Sequence, residues 1–205
     1  MQAVTKIRLS ALGFVLFAAA SATSLAADTN SFQVNIIKEP MHGREPVIRA
    51  YVTSGSKRFT FAVPEEYRLD VSKPSEVVLI SSDYSSFITL RIAGQANGTK
   101  ANEAESYRRS VLAQFADTEI IEELSLSAAE SSGPAFDVRG KTSEGLARNA
   151  RIAYIPCDGR VLEFSLVASP EKFRSSMTEF HTLMQTFRVS DANTKAVVAT
   201  FSDRI

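Results

Sequence analysis

The chain is poor in the residues from which chemistry is usually read. Its 205 residues include one cysteine, two histidines, nine glycines and no tryptophan. A lone Cys157 excludes an intrachain disulfide, so ordinary burial must hold the fold. The glycines form neither G-x-x-x-x-G-K nor G-x-G-x-x-G, so no backbone cradle for phosphate is written here. His42, in a loop beside Gly43, and His181, one position after Phe180, match no zinc spacing and no triad signature. Both read as solvated or edge histidines. Neither charge dominates, with 23 basic against 23 acidic residues, which argues against a nucleic-acid partner and its basic face. The expectation is no catalytic residue, no metal ligand and no cofactor.

Long apolar runs are scarce too, and the one present stands at the amino end. Lys6 and Arg8 precede an apolar stretch from Leu9 to Ala20, and small residues continue through Ala27. That order reads as a secretory signal over 1–27, cut at Ala26 or Ala27. The run is about half the ~20 residues a spanning helix needs. No cysteine near the cut offers a lipid anchor. The remaining 178 residues carry 21 basic and 23 acidic side chains, because only Lys6 and Arg8 are lost. No later run is long enough to cross a bilayer, so a periplasmic or secreted chain without a transmembrane span is expected. Residues 28–190 form one expected domain, large enough to bury about 70 % of its unfolded surface, with 191–205 as a tail.

Alternation and turn residues predict strands over 32–36, 47–53, 58–63, 76–81, 86–93, 119–127, 135–140, 147–156 and 160–168. Pro40, Gly43 and Pro46 predict a break, 64–75 a loop, and Asn97-Gly98 a turn. Asn102 and Glu105 predict a capped helix over 103–116 burying Ala104, Tyr107, Val111, Leu112 and Phe115. Ser169 and Pro170 open a second helix whose stripe is Phe173, Met177, Phe180, Met184 and Phe187, a core pattern rather than a cofactor box.

Between the last two strands, parity selects a register. A two-residue Asp158-Gly159 loop would put Arg151 on the face of three large apolar residues. A three-residue Cys157-Asp158-Gly159 loop pairs Tyr154 with Leu162 and Ile152 with Phe164, collecting Arg151, Glu163 and Ser165 on a wet face. A one-residue slip flips every side chain, so the second register wins by several kcal/mol, at about 1.5–3 per large side chain kept from water. Cys157 then sits at the loop tip, beside Asp158, which disfavours its thiolate. Glu65-Glu66 and Glu122-Glu123 make no acid/base dyad, since strand neighbours point to opposite faces. Asn97-Gly98-Thr99 fits a glycosylation sequon but is explained by its turn. Arg139, Arg148, Arg151 and Arg160 read as a charged sheet face.

From Arg58 onward the sequence resembles the Mog1/PsbP-like superfamily. The resemblance is carried by Phe59-Thr60-Phe61-Ala62-Val63-Pro64 with Tyr67 after it, Phe87-Ile88-Thr89-Leu90, Gly133-Pro134-Ala135-Phe136, and Gly159-Arg160-Val161-Leu162-Glu163-Phe164 running to Phe173, then Met184-Gln185-Thr186-Phe187-Arg188. It implies an α+β fold, an antiparallel β-sheet flanked by helices in an α/β/α sandwich. Functionally it implies a binding or assembly factor rather than an enzyme, with another envelope or secreted protein as partner. The alternative is a small-ligand binder or hydrolase whose site gathers distant residues.

Overall fold

The computed structural model describes residues 32–41, 43–95 and 100–193. The signal segment, His42 and the Asn97-Gly98-Thr99 turn lie outside them. The described chain is α+β, with two antiparallel sheets and two helices. The elements are β1 (Gln33–Met41), β2 (Arg44–Ser54), β3 (Lys57–Ala62), β4 (Tyr67–Asp70), β5 (Glu76–Ser81), β6 (Ser86–Gln95), α1 (Lys100–Leu112), β7 (Ala116–Ala128), β8 (Ser131–Lys141), β9 (Ala147–Cys157), β10 (Arg160–Ala168), α2 (Pro170–Thr186) and β11 (Arg188–Asp191). A four-stranded sheet runs β1-β2-β3-β11, and a seven-stranded sheet runs β4-β5-β6-β10-β9-β8-β7. The single sheet expected from the sequence is thus two.

Several elements differ from expectation for visible reasons. The 40–46 segment does not interrupt the strands: β1 continues to Met41 and β2 restarts at Arg44, with the irregularity confined to a register shift between Glu39 and Met41. Pro40 stands on the edge strand β1, and Pro46 precedes the part of β2 that pairs with β3, placements a sheet tolerates. β4 lies inside the expected 64–75 loop and pairs with β5, and β11 follows α2 to pair with β3. α1 starts at Lys100, so Asn102 is within it rather than ahead of it. Of its expected stripe, Val111 is buried and Tyr107 and Phe115 pack beside it, while Leu112 is exposed. α2 keeps its stripe: Phe180 and Met184 are buried, and Phe173 and Met177 pack against the same cluster. Phe187, just past its end, stacks on Phe59 at 5.8 Å and meets Phe164 edge-on at 4.9 Å. Ser169 holds the N-cap position in an extended conformation but makes no side-chain cap bond.

The register between β9 and β10 corrects the parity argument. Leu162 faces Ile155, Glu163 faces Tyr154, Phe164 faces Ala153 and Leu166 faces Arg151. This is the two-residue loop, with Asp158 at φ 52° and Gly159 at φ 75°, the paired positive values that suit Asp-Gly in a tight hairpin. The parity argument failed because it assumed one wet face. Here β9 and β10 are buried on both faces and deal alternate residues into two cores. Ala153, Ile155, Leu162, Phe164 and Leu166 join Phe180, Leu183 and Met184 of α2 with Val52, Phe59 and Phe61 of the smaller sheet. Ile152, Tyr154 and Val161 join Phe136 and Val138 of β8 with Val111 of α1. With both faces covered, slipping the register keeps no extra side chain from water, and the expected preference vanishes.

Candidate functional site

The face of the seven-stranded sheet that carries Val111 changes character from one edge to the other. Over β8 and β9 it is apolar. Toward β5 it becomes a row of ionic and hydroxyl groups, fixed by register: Glu76 on β5 opposite Arg91 on β6, Arg91 opposite Glu163 on β10, Glu163 opposite Tyr154 on β9. Directly opposed side chains on an antiparallel pair stand about 5 Å apart at Cβ, close enough to interact. Glu163, expected on a wet face, is only 3 % exposed, and Ser165 is buried as well.

Glu163 is held from two sides. Arg91 Nη2 donates to Oε2 at 2.8 Å, and Gln114 Nε2, just past α1, donates to Oε1 at a long 3.5 Å. The bond and charge of Glu163 outweigh burial and hold the Arg91 pKa above its ordinary value. Two further polar atoms are buried without a well-formed hydrogen bond, the Arg91 Nε and the Tyr154 hydroxyl, the latter close to the Ser110 and Glu163 side chains. Burial, reinforced by the charge of Glu163, pushes the Tyr154 pKa up to about 12, so the phenol stays protonated near neutrality. The Tyr154 ring stacks on Tyr107 of α1, with centroids 4.3 Å apart. Its backbone is pinned from β8: a Cβ at Gly133 would overlap the Tyr154 carbonyl, which gives a packing reason for Gly133-Pro134-Ala135-Phe136. These residues, with Ser75, Ser106 and Ser110, line an open hollow of about 470 Å³.

The residues singled out in the sequence fall elsewhere. His181 Nε2 lies 3.2 Å from Arg151 Nη1, and Arg151 makes two 2.6 Å bonds to Asp137. Burial first, then the Arg151 charge, holds the His181 pKa below its ordinary value. The ring nitrogen facing a guanidinium accepts, so the histidine is neutral and gathers no nucleophile. The four arginines do not cluster: Arg139 approaches Glu119, Arg148 its neighbour's carbonyl, Arg151 Asp137, and Arg160 Ser54. Cys157 is buried, and its pKa is raised by burial and by Asp158. The expected free thiol at a loop tip therefore faces the core. Among the described residues no group of three or more potential ligands could hold a metal ion.

A second feature is the β1–β2 arm. Along β2 the side chains Val52, Ala50 and Ile48 share the face that meets the core. Val52 and Ala50 are fully buried, whereas Ile48 is 40 % exposed, and on β1 Ile36 is 51 % exposed. The apolar stripe outruns the core that covers it. Ile37 and Met41 are exposed as well. The remaining exposed large apolar residues, such as Val71, Tyr84 and Leu146, are scattered singly along the chain. On the opposite face of the arm, Glu39 accepts from Arg49 Nε at 2.9 Å and from the Tyr51 hydroxyl.

No family model and no curated protein matches this sequence. Solved structures with a similar chain course include PA94 of Pseudomonas aeruginosa, a protein of unknown function, at 12 % identity over 74 % of this chain and 95 % of that one, TM-score 0.44. The cyanobacterial PsbP of Synechocystis sp. PCC 6803 is similar at 11 % identity, over 80 % of this chain and 96 % of that one, TM-score 0.44. LpqN of Mycobacterium tuberculosis, involved in cell envelope biogenesis, is similar at 12 % identity, over 78 % and 91 %, TM-score 0.44. A likeness at this level says nothing about what the chain does. Among the described residues no helix is long and apolar enough to cross a membrane.

Proposed function

We propose that the chain is an exported, non-enzymatic interaction module of the cell envelope, which binds another envelope or secreted protein through its β1–β2 arm. The observation that carries this reading is the apolar stripe that continues past the core at Ile36 and Ile48. Leaving about half of each of these two aliphatic side chains in water forgoes about 1 kcal/mol each, and clustered exposed apolar residues mark interaction sites more often than solitary ones do. β1 is also the edge of its sheet, with β2 as its one strand neighbour, so its outer backbone groups are available for an added strand. The 1–27 signal and the 28–190 domain belong to the same proposal, as does the layered α/β/α arrangement. In support, residues of α2 join one core cluster of the seven-stranded sheet and residues of α1 join the other.

The test is site-specific photocrosslinking in intact cells from position 38, which stands opposite Ile48 on the same face as Ile36. A discrete adduct with one envelope protein, lost in Ile36→Ser/Ile48→Ser, is the expected outcome. A diffuse smear, or an adduct that persists in the double variant, would refute the arm as the binding surface.

A further inference from the structure

We infer that the hollow over Arg91, Glu163 and Tyr154 is a binding site for a neutral, hydroxyl-rich ligand of monosaccharide size. This assignment goes beyond the proposed role of the arm, shares none of its exposed isoleucines, and stands if that role fails.

The first argument is one of unmet bonds. The Tyr154 residue is 1 % exposed, yet its hydroxyl, which lies near the Ser110 and Glu163 side chains, makes no well-formed hydrogen bond while the residue lines an open hollow. An unmet buried hydroxyl costs about 1–3 kcal/mol, so a fold does not retain one without cause. Arg91 Nε, alongside, is a buried donor without an acceptor. The contact from Gln114 to Glu163 Oε1 is a long 3.5 Å, so this oxygen can take a better donor. The missing complement is an acceptor for Arg91, a partner for the Tyr154 hydroxyl and a donor for Glu163. Hydroxyl groups both donate and accept, and neighbouring hydroxyls on one ring supply all three.

The second argument is charge. Arg91 is already paired with Glu163, and Glu76, which also lines the hollow, is paired with Lys73 at 2.6 Å, so the row is close to neutral. A phosphate or carboxylate would meet two carboxylates across an arginine that is already neutralised. A small cation would meet the guanidinium and would leave Arg91 Nε without an acceptor. A neutral ligand avoids both costs.

The third argument is shape. Tyr107, half-buried and stacked on Tyr154, offers aromatic carbon beside the polar row, the mixture that suits a ring with an apolar C–H face and a polar rim. The 470 Å³ hollow meets a second of about 240 Å³ at Ala93, Ser106 and Tyr107, within the span of small-molecule sites.

The test is an NMR titration of the ¹⁵N-labelled protein with glucose, N-acetylglucosamine and myo-inositol, with inorganic phosphate and methylammonium as parallel arms. The Arg91 Nε–H resonance reports directly on the unmet donor. The expected result is a saturable shift of that resonance and of the Ser110 amide with at least one neutral polyol, and none with phosphate or methylammonium. Tyr154→Phe removes only the hydroxyl and should weaken binding about tenfold, and Glu163→Gln should weaken it too. An otherwise unchanged amide spectrum verifies that both variants are folded. No saturable shift with any polyol, unchanged affinity in Tyr154→Phe, or binding of phosphate or methylammonium in place of the polyols would each overturn the assignment.

Discussion

The two faces of the seven-stranded sheet are made by the same strands and have opposite characters. Phe164 and Glu163 are neighbours on β10, yet one lies in a core of stacked phenylalanines and the other in a row of charge. On the Phe164 face, residues of α2 and of the four-stranded sheet join one cluster, in which Phe59, Phe61, Phe164, Phe180 and Phe187 are all fully buried. On the Glu163 face, Val111 of α1 joins Phe136 and Val138 of β8, and the hollow that Arg91, Glu163 and Tyr154 line lies beside them. One face is spent on stability. The other keeps polar atoms dry without fully pairing them, which raises the energy of the free state and leaves something for a ligand to relieve.

That contrast can be broken most sharply on the α2 face. Phe180→Ala should lower unfolding free energy by about 3–5 kcal/mol in urea denaturation, because it deletes a fully buried ring. A loss below about 1 kcal/mol would mean that this face is not the main core. On the other face, Glu163→Gln should cost less, about 1–3 kcal/mol, since Arg91 loses its charged partner but is itself half exposed to water. Equal losses in the two variants would erase the distinction. A pH series sharpens it further. His181 has a folded pKa below its unfolded value of 6.5, through burial and Arg151, with Asp137 opposing. The unfolded state therefore binds the extra proton, and this contribution is present above pH 6.5 and lost as pH falls toward the folded pKa. His181→Gln should flatten that acid limb in thermal melts, and an unaltered limb would remove His181 as its cause. The smallest effect is Tyr154→Phe, which removes a buried hydroxyl without a well-formed hydrogen bond and should leave the melting temperature equal or slightly raised. A clear drop would show that the hydroxyl is already satisfied in the free protein.

Much of this fold is legible in the sequence. The strands Glu76–Ser81 and Arg160–Ala168 have their expected bounds, and the α2 stripe is buried as its spacing predicts. β4 and β11 are missed because four residues show too little alternation to register, and β11 gains its place from β3, a partner far along the chain, while β4 pairs with the next strand, β5. The β9–β10 register is missed for an instructive reason. Ile152-Ala153-Tyr154-Ile155 and Val161-Leu162 are continuous apolar runs, the signature of strands covered on both sides, and parity was applied as if one side were wet. That same assumption assigned Glu163 to solvent. Its partner Arg91 stands 72 residues away, and no local pattern joins them. Only the continuous runs could have warned that a carboxylate there would be buried.

Everything on the α1 face hangs on which residues of β9 and β10 stand opposite one another. Cross-strand backbone NOEs measure this without reference to side chains or ligands. Contacts joining Tyr154 to Glu163 and Ile152 to Ser165 are the predicted result, whereas contacts joining Tyr154 to Leu162 and Ile152 to Phe164 would contradict it and dissolve the polar row.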